Sequence, residues 1–284
     1  FTSRCPHLAR DSAISLVKGD VRDFPFVKGE FSHLLHAATD VVATNTPLDV
    51  FQVTVSGTQR VLDFARDRTI NNVLLFSSGA VYGRFPKDIQ RVAESYGGAT
   101  EVNKPDTAYG LGKIVTEWLG NTYGQYYGIV CKSARIFAQV GPYLELDAQF
   151  AAGNFIRDAL QGQPLIIKGD GKSLRSYMYP TDLITWLWAI LIRGQSGNAY
   201  NVGSDRAVSI RELAEIVSRV PDPGPRDIRV LGHSVPGAAP DRYVPETSKA
   251  RDQLKLAINV SCEEAIRRTY DWYKARYYTD NRNK

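Results

Sequence analysis

Tyr109 and Lys113 stand four residues apart in the stretch Pro105 to Trp118, PDTAYGLGKIVTEW. On a helix this spacing stacks the phenol and the ammonium on one face. A free phenol titrates near pH ~10 and is a poor base at neutral pH, but a fixed cation beside it favours the phenolate. The pair could therefore move a proton. Spacing alone is met equally by a surface Tyr and Lys, so the neighbouring segments must decide.

The elements that would position the pair can be read along the chain. Ala13 to Lys18 (AISLVK) alternates and closes at Gly19-Asp20, which predicts a buried strand ending in a turn, and Phe31 to Ala38 has the same form. Pro47 to Arg66 has helical periodicity, Asn72 to Ser77 (NVLLFS) is a strongly apolar strand, and Ile129 to Phe137 is another after the Tyr109 helix. Strand and helix alternating in this order predict an α/β fold, a doubly wound, Rossmann-like parallel sheet with right-handed crossovers. Ligands of such sheets sit at the carboxyl ends of the strands, here His36 to Thr39, Ser77 to Ala80 and Phe137 to Pro142.

After Gly141 the pattern changes: a helix at Phe150 to Leu160, a strand at Pro164 to Lys168, and a tight turn at Gly169-Asp170-Gly171 before Arg175. This predicts a smaller C-terminal α+β substrate-binding domain formed by residues 143–180 plus 205–284, against a first domain of residues 1–142 plus 181–204. Asp182 to Ile192 reads as a buried helix, and Ala199 to Gly203 as a strand returning to the first sheet. Ser209 with Glu212, and Ser261 with Glu264, are capping-box starts, the second opening a final helix to about Arg276.

Composition narrows the classes. The 284 residues are 43% hydrophobic, enough for a real core, and no apolar run reaches membrane-span length. Cys5, Cys131 and Cys262 have no paired spacing that suggests zinc or a disulfide framework, so the expected setting is a reducing cytoplasm. The net charge of +5 is spread without a basic block, which argues against nucleic acid and membrane surfaces. A few arginines gathered in a pocket would suit an anionic small molecule.

Together these segments resemble the extended short-chain dehydrogenase/reductases of the nucleotide-sugar epimerase/dehydratase branch. The resemblance runs from about Val17 to the C-terminus. It is carried in order by Gly19-Asp20, His36-Ala37-Ala38, Gly57-Thr58, Ser77-Ser78-Gly79-Ala80-Val81-Tyr82-Gly83, Tyr109 with Lys113, Gly141-Pro142, and Gly169-Asp170-Gly171 followed by Arg175 and Asp182. It implies that Ser78 and Tyr109 bond the sugar hydroxyl being oxidised, while Lys113 holds the nicotinamide ribose and lowers the Tyr109 pKa. Asp20 and Val21 would meet the adenine end of NAD, with NADP left open. His36, Ala37, Ala38, Thr54 and Ser77 complete the expected cofactor surface, and Gly79, Ala80, Arg175 and Arg242 join Ser78 on the nucleotide-diphosphate sugar. Without the resemblance, Ser77 and Ser78 read as a polar strand end, His36 as a core histidine and Tyr82 as packing. No metal is needed, and the helices at Pro47 and Tyr109 would form a homodimer interface.

Three departures matter. A complete member would carry a glycine-rich loop before Phe1, about 40 residues upstream, so the expectation is an N-terminally incomplete chain. Thr54 and Ala138 stand where many relatives have Asn. Dehydratases of this branch carry Asp-Glu after the Ser78 position and decarboxylating relatives a Glu, whereas this chain has Gly79 and Ala80. Elimination is therefore disfavoured. The expected activity is a 4-epimerase passing through a 4-keto sugar, Gly79 and Ala80 leaving room for that sugar to turn. A 4-ketoreductase comes second, a 4,6-dehydratase third, and a dinucleotide-sensing scaffold is the non-enzymatic reading.

Overall fold

The computed structural model describes residues 5–39, 46–98, 100–235, 237 and 239–282, with side chains as far as Arg276. A four-stranded, fully parallel sheet is built from β1 (Leu34–His36), β2 (Asn72–Ser78), β3 (Val130–Ile136) and β6 (Ala199–Val202), in the order β1-β2-β3-β6. Its centre is β2, whose apolar run follows from burial on both faces. Val73 and Leu75 point to one cluster, under α2 (Pro47–Asp67) and α3 (Ala108–Tyr127), where Leu62, Phe64 and Leu119 are also buried. Leu74 points to the other, with Trp186 and Ile190 of α5 (Pro180–Arg193). Each such fully buried apolar side chain contributes about 1.5–3 kcal/mol.

Helix α2 starts where its sequence says it should. Thr46 Oγ1 accepts from the Asp49 amide at 3.2 Å, the Asp49 carboxylate accepts from the Thr46 amide at 3.3 Å, and Pro47 fills the first position, which needs no donor. Helix α3 ends at Gly128, which takes φ +73°, a conformation that costs glycine nothing.

The second unit has its own core. A parallel pair, β4 (Leu165–Ile167) with β8 (Ile228–Val230), packs with α4 (Ala151–Leu160), α6 (Ile210–Ser218) and α8 (Cys262–Arg282) around Phe155, Ile156, Leu213 and Ile266. Beside it β5 (Leu174–Arg175) pairs antiparallel with β7 (Val208–Ser209) and parallel with β9 (Arg242–Tyr243). Ser209 and Glu212 form the expected capping box of α6 at 3.0 and 2.7 Å, and Ser261 Oγ accepts from the Glu264 amide at 3.2 Å. Helix α8 runs on to Arg282, beyond the periodicity limit at Arg276.

Two expectations change. Ala13 to Lys18 forms no strand: Ala13 lies in a turn, and Ile14, Leu16 and Val17 are 37%, 51% and 59% exposed. Alternation alone does not make a strand without a neighbour to pair with and to bury it. This segment follows a short helix, α1 (Pro6–Ala9), and packing on the first unit begins after Asp20, where Phe24, Phe26 and Phe31 lie 5.3–5.6 Å from Phe64 of α2. Helix α7 (Ser248–Leu254) also departs from the expected domain division: Ala250 and Leu254 join the α5 side of the parallel sheet.

Candidate active site

The carboxyl end of β2 delivers Ser78 into a single 3-10 turn, Gly79–Tyr82, where Ser78 Oγ accepts from the Ala80 amide at 3.2 Å. Helix α3 begins directly opposite. A Cβ on Gly110 would lie 2.7 Å from the Ala80 carbonyl oxygen, so the first turn of α3 can approach this close only with glycine there. That approach sets the Tyr109 phenol beside the Ser78 hydroxyl, near enough for Ser78 to pull the phenol pKa down.

Lys113 is 2% exposed, donates to the Phe76 carbonyl at 2.6 Å, and lies 5.7 Å from the centre of the Tyr109 ring. Burial lowers its pKa to about 8, opposed by the Glu117 carboxylate one turn on. The expected lowering of the Tyr109 phenol is not what this arrangement gives. Burial holds that phenol above its ordinary value, the Ser78 hydrogen bond pulls it back only in part, and the ammonium is directed at a backbone carbonyl.

Behind these groups runs a buried polar chain. Ser77 Oγ donates to Glu117 at 2.5 Å, and Arg135 forks onto both Glu117 oxygens at 2.9 and 2.8 Å. Arg135 also donates to the Tyr82 hydroxyl at 2.8 Å, which donates to Asn201 at 2.8 Å. Burial alone would lower the Arg135 pKa; Glu117 and Tyr82 more than reverse it. Ser77, Tyr82, Glu117, Arg135 and Asn201 thus lock β2, α3, β3 and β6 together one layer below Ser78, Tyr109 and Lys113.

On the other side of Lys113, His36 is buried and within 3.0 Å of Thr58 Oγ1, itself 3.0 Å from Thr116 Oγ1. Burial, then the Lys113 charge, depresses the His36 pKa to about 4. His36 is thus a neutral core histidine.

The other expected ligand residues are dispersed. Asp20 is held by Arg22 at 2.6 Å, a hydrogen bond that lowers its carboxyl to about 2. Val21 packs where a Cβ on Gly57 would be, 2.7 Å away, and Thr54, 1% exposed, packs against Gly112 and bonds its own helix at Val50. Ala37 and Ala38 are exposed just after β1. Arg175 is paired with Asp241 at 2.7 Å. Arg242 sits in register with Leu174, so by strand alternation it lies on the opposite face from Arg175.

Gly79 does not open the space its size suggests. A Cβ there would meet the Phe137 ring and the Tyr243 hydroxyl, each at 2.7 Å, so these two side chains occupy the volume next to it. Neither Tyr243 nor Glu117 was among the expected site residues. Glu117 had a signal, being four residues beyond Lys113 on the same face.

In the second unit a cleft of about 1360 Å³ between α4, β4 and β8 is lined by Tyr143, Phe150, Ile166, Lys168 and Arg229 among others. Among the described residues no cluster of His, Cys, Asp and Glu could hold a metal, the cysteines are free, and no helix is long and apolar enough to cross a membrane.

The sequence profile of the NAD dependent epimerase/dehydratase family matches residues 2–203. The chain belongs to this family. It is 28% identical over 281 residues to UDP-glucuronic acid decarboxylase 1 of Arabidopsis thaliana, covering 98% of this chain and 62% of that protein, so it spans about three fifths of the relative's length. UDP-glucuronic acid 4-epimerase from Bacillus cereus, solved with NAD, matches with a TM-score of 0.81 at 21% identity, over 97% of this chain and 86% of the other. A dTDP-glucose 4,6-dehydratase from Bacillus anthracis, also with NAD, matches at 0.73 and 19% identity, over 87% and 74%. These structural likenesses speak for the Rossmann-like fold.

The family's cofactor can be tested against the residues present. Lys113 is a buried ammonium that spends one of three donors on Phe76, and Ala37 and Ala38 leave the backbone after β1 open. Both fit the nicotinamide-ribose end of NAD. The 284 residues contain no Gly-x-Gly-x-x-Gly loop for the pyrophosphate.

Proposed function

We propose that this chain carries the catalytic machinery of a nucleotide-sugar 4-epimerase that works through hydride transfer with NAD. The observation that carries the reading is Ser78, Tyr109 and Lys113 gathered at one strand end, with no side-chain acid or base at Gly79 and Ala80. NAD, when bound, would accept hydride from the sugar carbon and return it. Tyr109 takes the proton of the reacting hydroxyl, Ser78 orients that oxygen, and Lys113 supplies the positive charge that favours the phenolate once a ligand draws it forward. Its two remaining donors suit ribose hydroxyls. The cleft of the second unit offers Tyr143 and Phe150 for a base and Lys168 and Arg229 for phosphate, alongside the carboxylates of Glu145, Asp147 and Asp158.

One observation favours a second reading, a 4-ketoreductase. Phe137 and Tyr243 fill the volume beside Gly79, and a reductase needs no room for the sugar to turn. Decarboxylation, the activity named for the Arabidopsis relative, and dehydration both lack a carboxylate after Ser78.

The test is incubation of the protein with NAD and UDP-, dTDP-, GDP- and CDP-sugars, followed by mass spectrometry and NMR of the products. An epimer mixture with no net use of cofactor is expected. Stoichiometric NADPH consumption on a 4-keto sugar would favour the reductase. Release of carbon dioxide from UDP-glucuronic acid, or of a 4-keto-6-deoxy sugar, would refute the argument from Gly79 and Ala80.

A further inference from the structure

The Tyr243 hydroxyl stands 3.4 Å from Ser78 Oγ, and Ser78 is the same residue whose hydroxyl acts on the Tyr109 phenol. Three hydroxyls from β2, α3 and β9 therefore converge, two from the parallel sheet and its helix and one from the second unit. The Gly79 Cα–Cβ direction leads straight into this third hydroxyl, 2.7 Å from where the Cβ would sit. A side chain at position 79 would thus have to displace the Tyr243 phenol or the Phe137 ring.

We propose that Tyr243 is a catalytic residue of this site, a hydrogen-bond donor from the second unit that contacts the sugar beside the hydroxyl held by Ser78 and Tyr109. The proposal deepens the nucleotide-sugar reading and rests on it.

The ring is fixed for this task. It lies 4.6 Å from Phe137 and stacks on Phe85 at 6.1 Å, so the hydroxyl cannot swing away without breaking aromatic packing. Its only described hydrogen-bond partner, Ser78, is at a distance well beyond the ~2.7–2.8 Å of a good O–H···O bond, which leaves the phenol proton available to a ligand. Burial pushes its pKa up to about 12, so near neutrality it gives a hydrogen bond and does not act as a base. A carboxylate at residue 79 or 80 would do the opposite. The ladder adds continuity: Arg175 is directly in register with Tyr243 and on the same face of the sheet, its guanidinium held by Asp241 at 2.7 Å.

The test uses Tyr243→Phe, which keeps the ring and deletes one oxygen, with UDP-glucuronic acid, UDP-glucose and UDP as calorimetric probes. Loss of one neutral hydrogen bond lowers affinity for the two sugar nucleotides by about 2- to 10-fold and leaves UDP unchanged. Tyr243→Leu, which also lacks the hydroxyl but packs differently, gives the same discrimination between sugar nucleotides and UDP. Equal losses on all three probes, or no loss on any, would overturn the role of Tyr243 and leave the nucleotide-sugar reading intact. Wild-type protein that binds UDP-sugars no better than UDP would overturn the reading itself, and this proposal with it.

Discussion

Replacing Glu117 by Gln tests the buried chain beneath the reacting groups. Glu117 and Arg135 are 13% and 15% exposed at their side chains, and the carboxylate receives three hydrogen bonds: two from Arg135 and one from Ser77. Glutamine is the same shape but keeps one acceptor oxygen, and its amide hydrogens face the guanidinium. Arg135 then keeps that one oxygen, the Tyr82 hydroxyl and the Glu94 carbonyl, but is a buried cation with no opposite charge beside it. Breaking a buried ion pair from one side costs about 3–5 kcal/mol, and the residual exposure argues for the lower end, about 3 kcal/mol. For a chain of this size that is roughly 6–12 °C in Tm.

The decisive comparison is with Glu117→Leu/Arg135→Met, which removes both charges and fills much of the same volume. Because most of the cost is an unpaired buried charge, this double variant should be more stable than Glu117→Gln. Urea unfolding of the three proteins measures it. A Glu117→Gln loss below about 1 kcal/mol, or a double variant less stable than Glu117→Gln, would refute the reasoning. There is a kinetic counterpart. The Glu117 charge opposes the burial that pulls Lys113 down to about 8, so in Glu117→Gln the alkaline limb of the kcat/KM profile that follows Lys113 should move to lower pH.

Other outcomes follow from the same geometry. Tyr109→Phe should cut turnover by about 10²–10⁴-fold with an unchanged urea midpoint, and an unchanged rate would remove Tyr109 from the chemistry. His36 remains neutral in the folded protein until about pH 4 while the unfolded chain takes up its proton near 6.5, so its contribution is complete above 6.5 and fades as pH falls towards 4. That window is worth about 3 kcal/mol; urea midpoints at pH 7 and 4.5 should converge in His36→Gln, and an equal acid loss in both proteins would refute it. Gly79→Ala forces its methyl into Phe137 and Tyr243 and should cost about 1–3 kcal/mol by thermal unfolding, a neutral effect showing that the contact yields. Leu48 and Phe51 of α2 and Ile114 and Trp118 of α3 are exposed apolar residues, and we expect them to meet a second copy: light scattering at micromolar concentration should give a dimer that Trp118→Glu dissociates.

Local sequence carried the elements whose partners lie close by or on both sides. Val73 to Phe76 is apolar throughout because β2 is buried on both faces, and Tyr109 with Lys113 share a face because the helix period requires it. Ala13 to Lys18 failed for the complementary reason: alternation describes a strand's two faces but says nothing about a neighbour to pair with. The Lys113 effect on Tyr109 was legible as a juxtaposition but not as a sign. The balance between burial, which raises the phenol, and a cation, which lowers it, depends on where the ammonium points, and Phe76 takes that direction.

Gly79 shows the harder limit. In sequence, two small residues after Ser78 read as vacancy, and vacancy suggested room for a turning sugar. A missing side chain frees volume only if nothing else claims it. Here Phe137 and Tyr243 do, the latter from 165 residues beyond Ser78 on a two-residue strand that no local pattern marks. The argument against elimination survives this, because it rests on the absence of a carboxylate. The argument for epimerisation loses its steric half and now depends on how far Tyr243 and Phe137 give way when a sugar arrives. Tyr243→Phe leaves that volume almost unchanged and removes only the donor, so it separates the chemistry of this corner of the site from its shape.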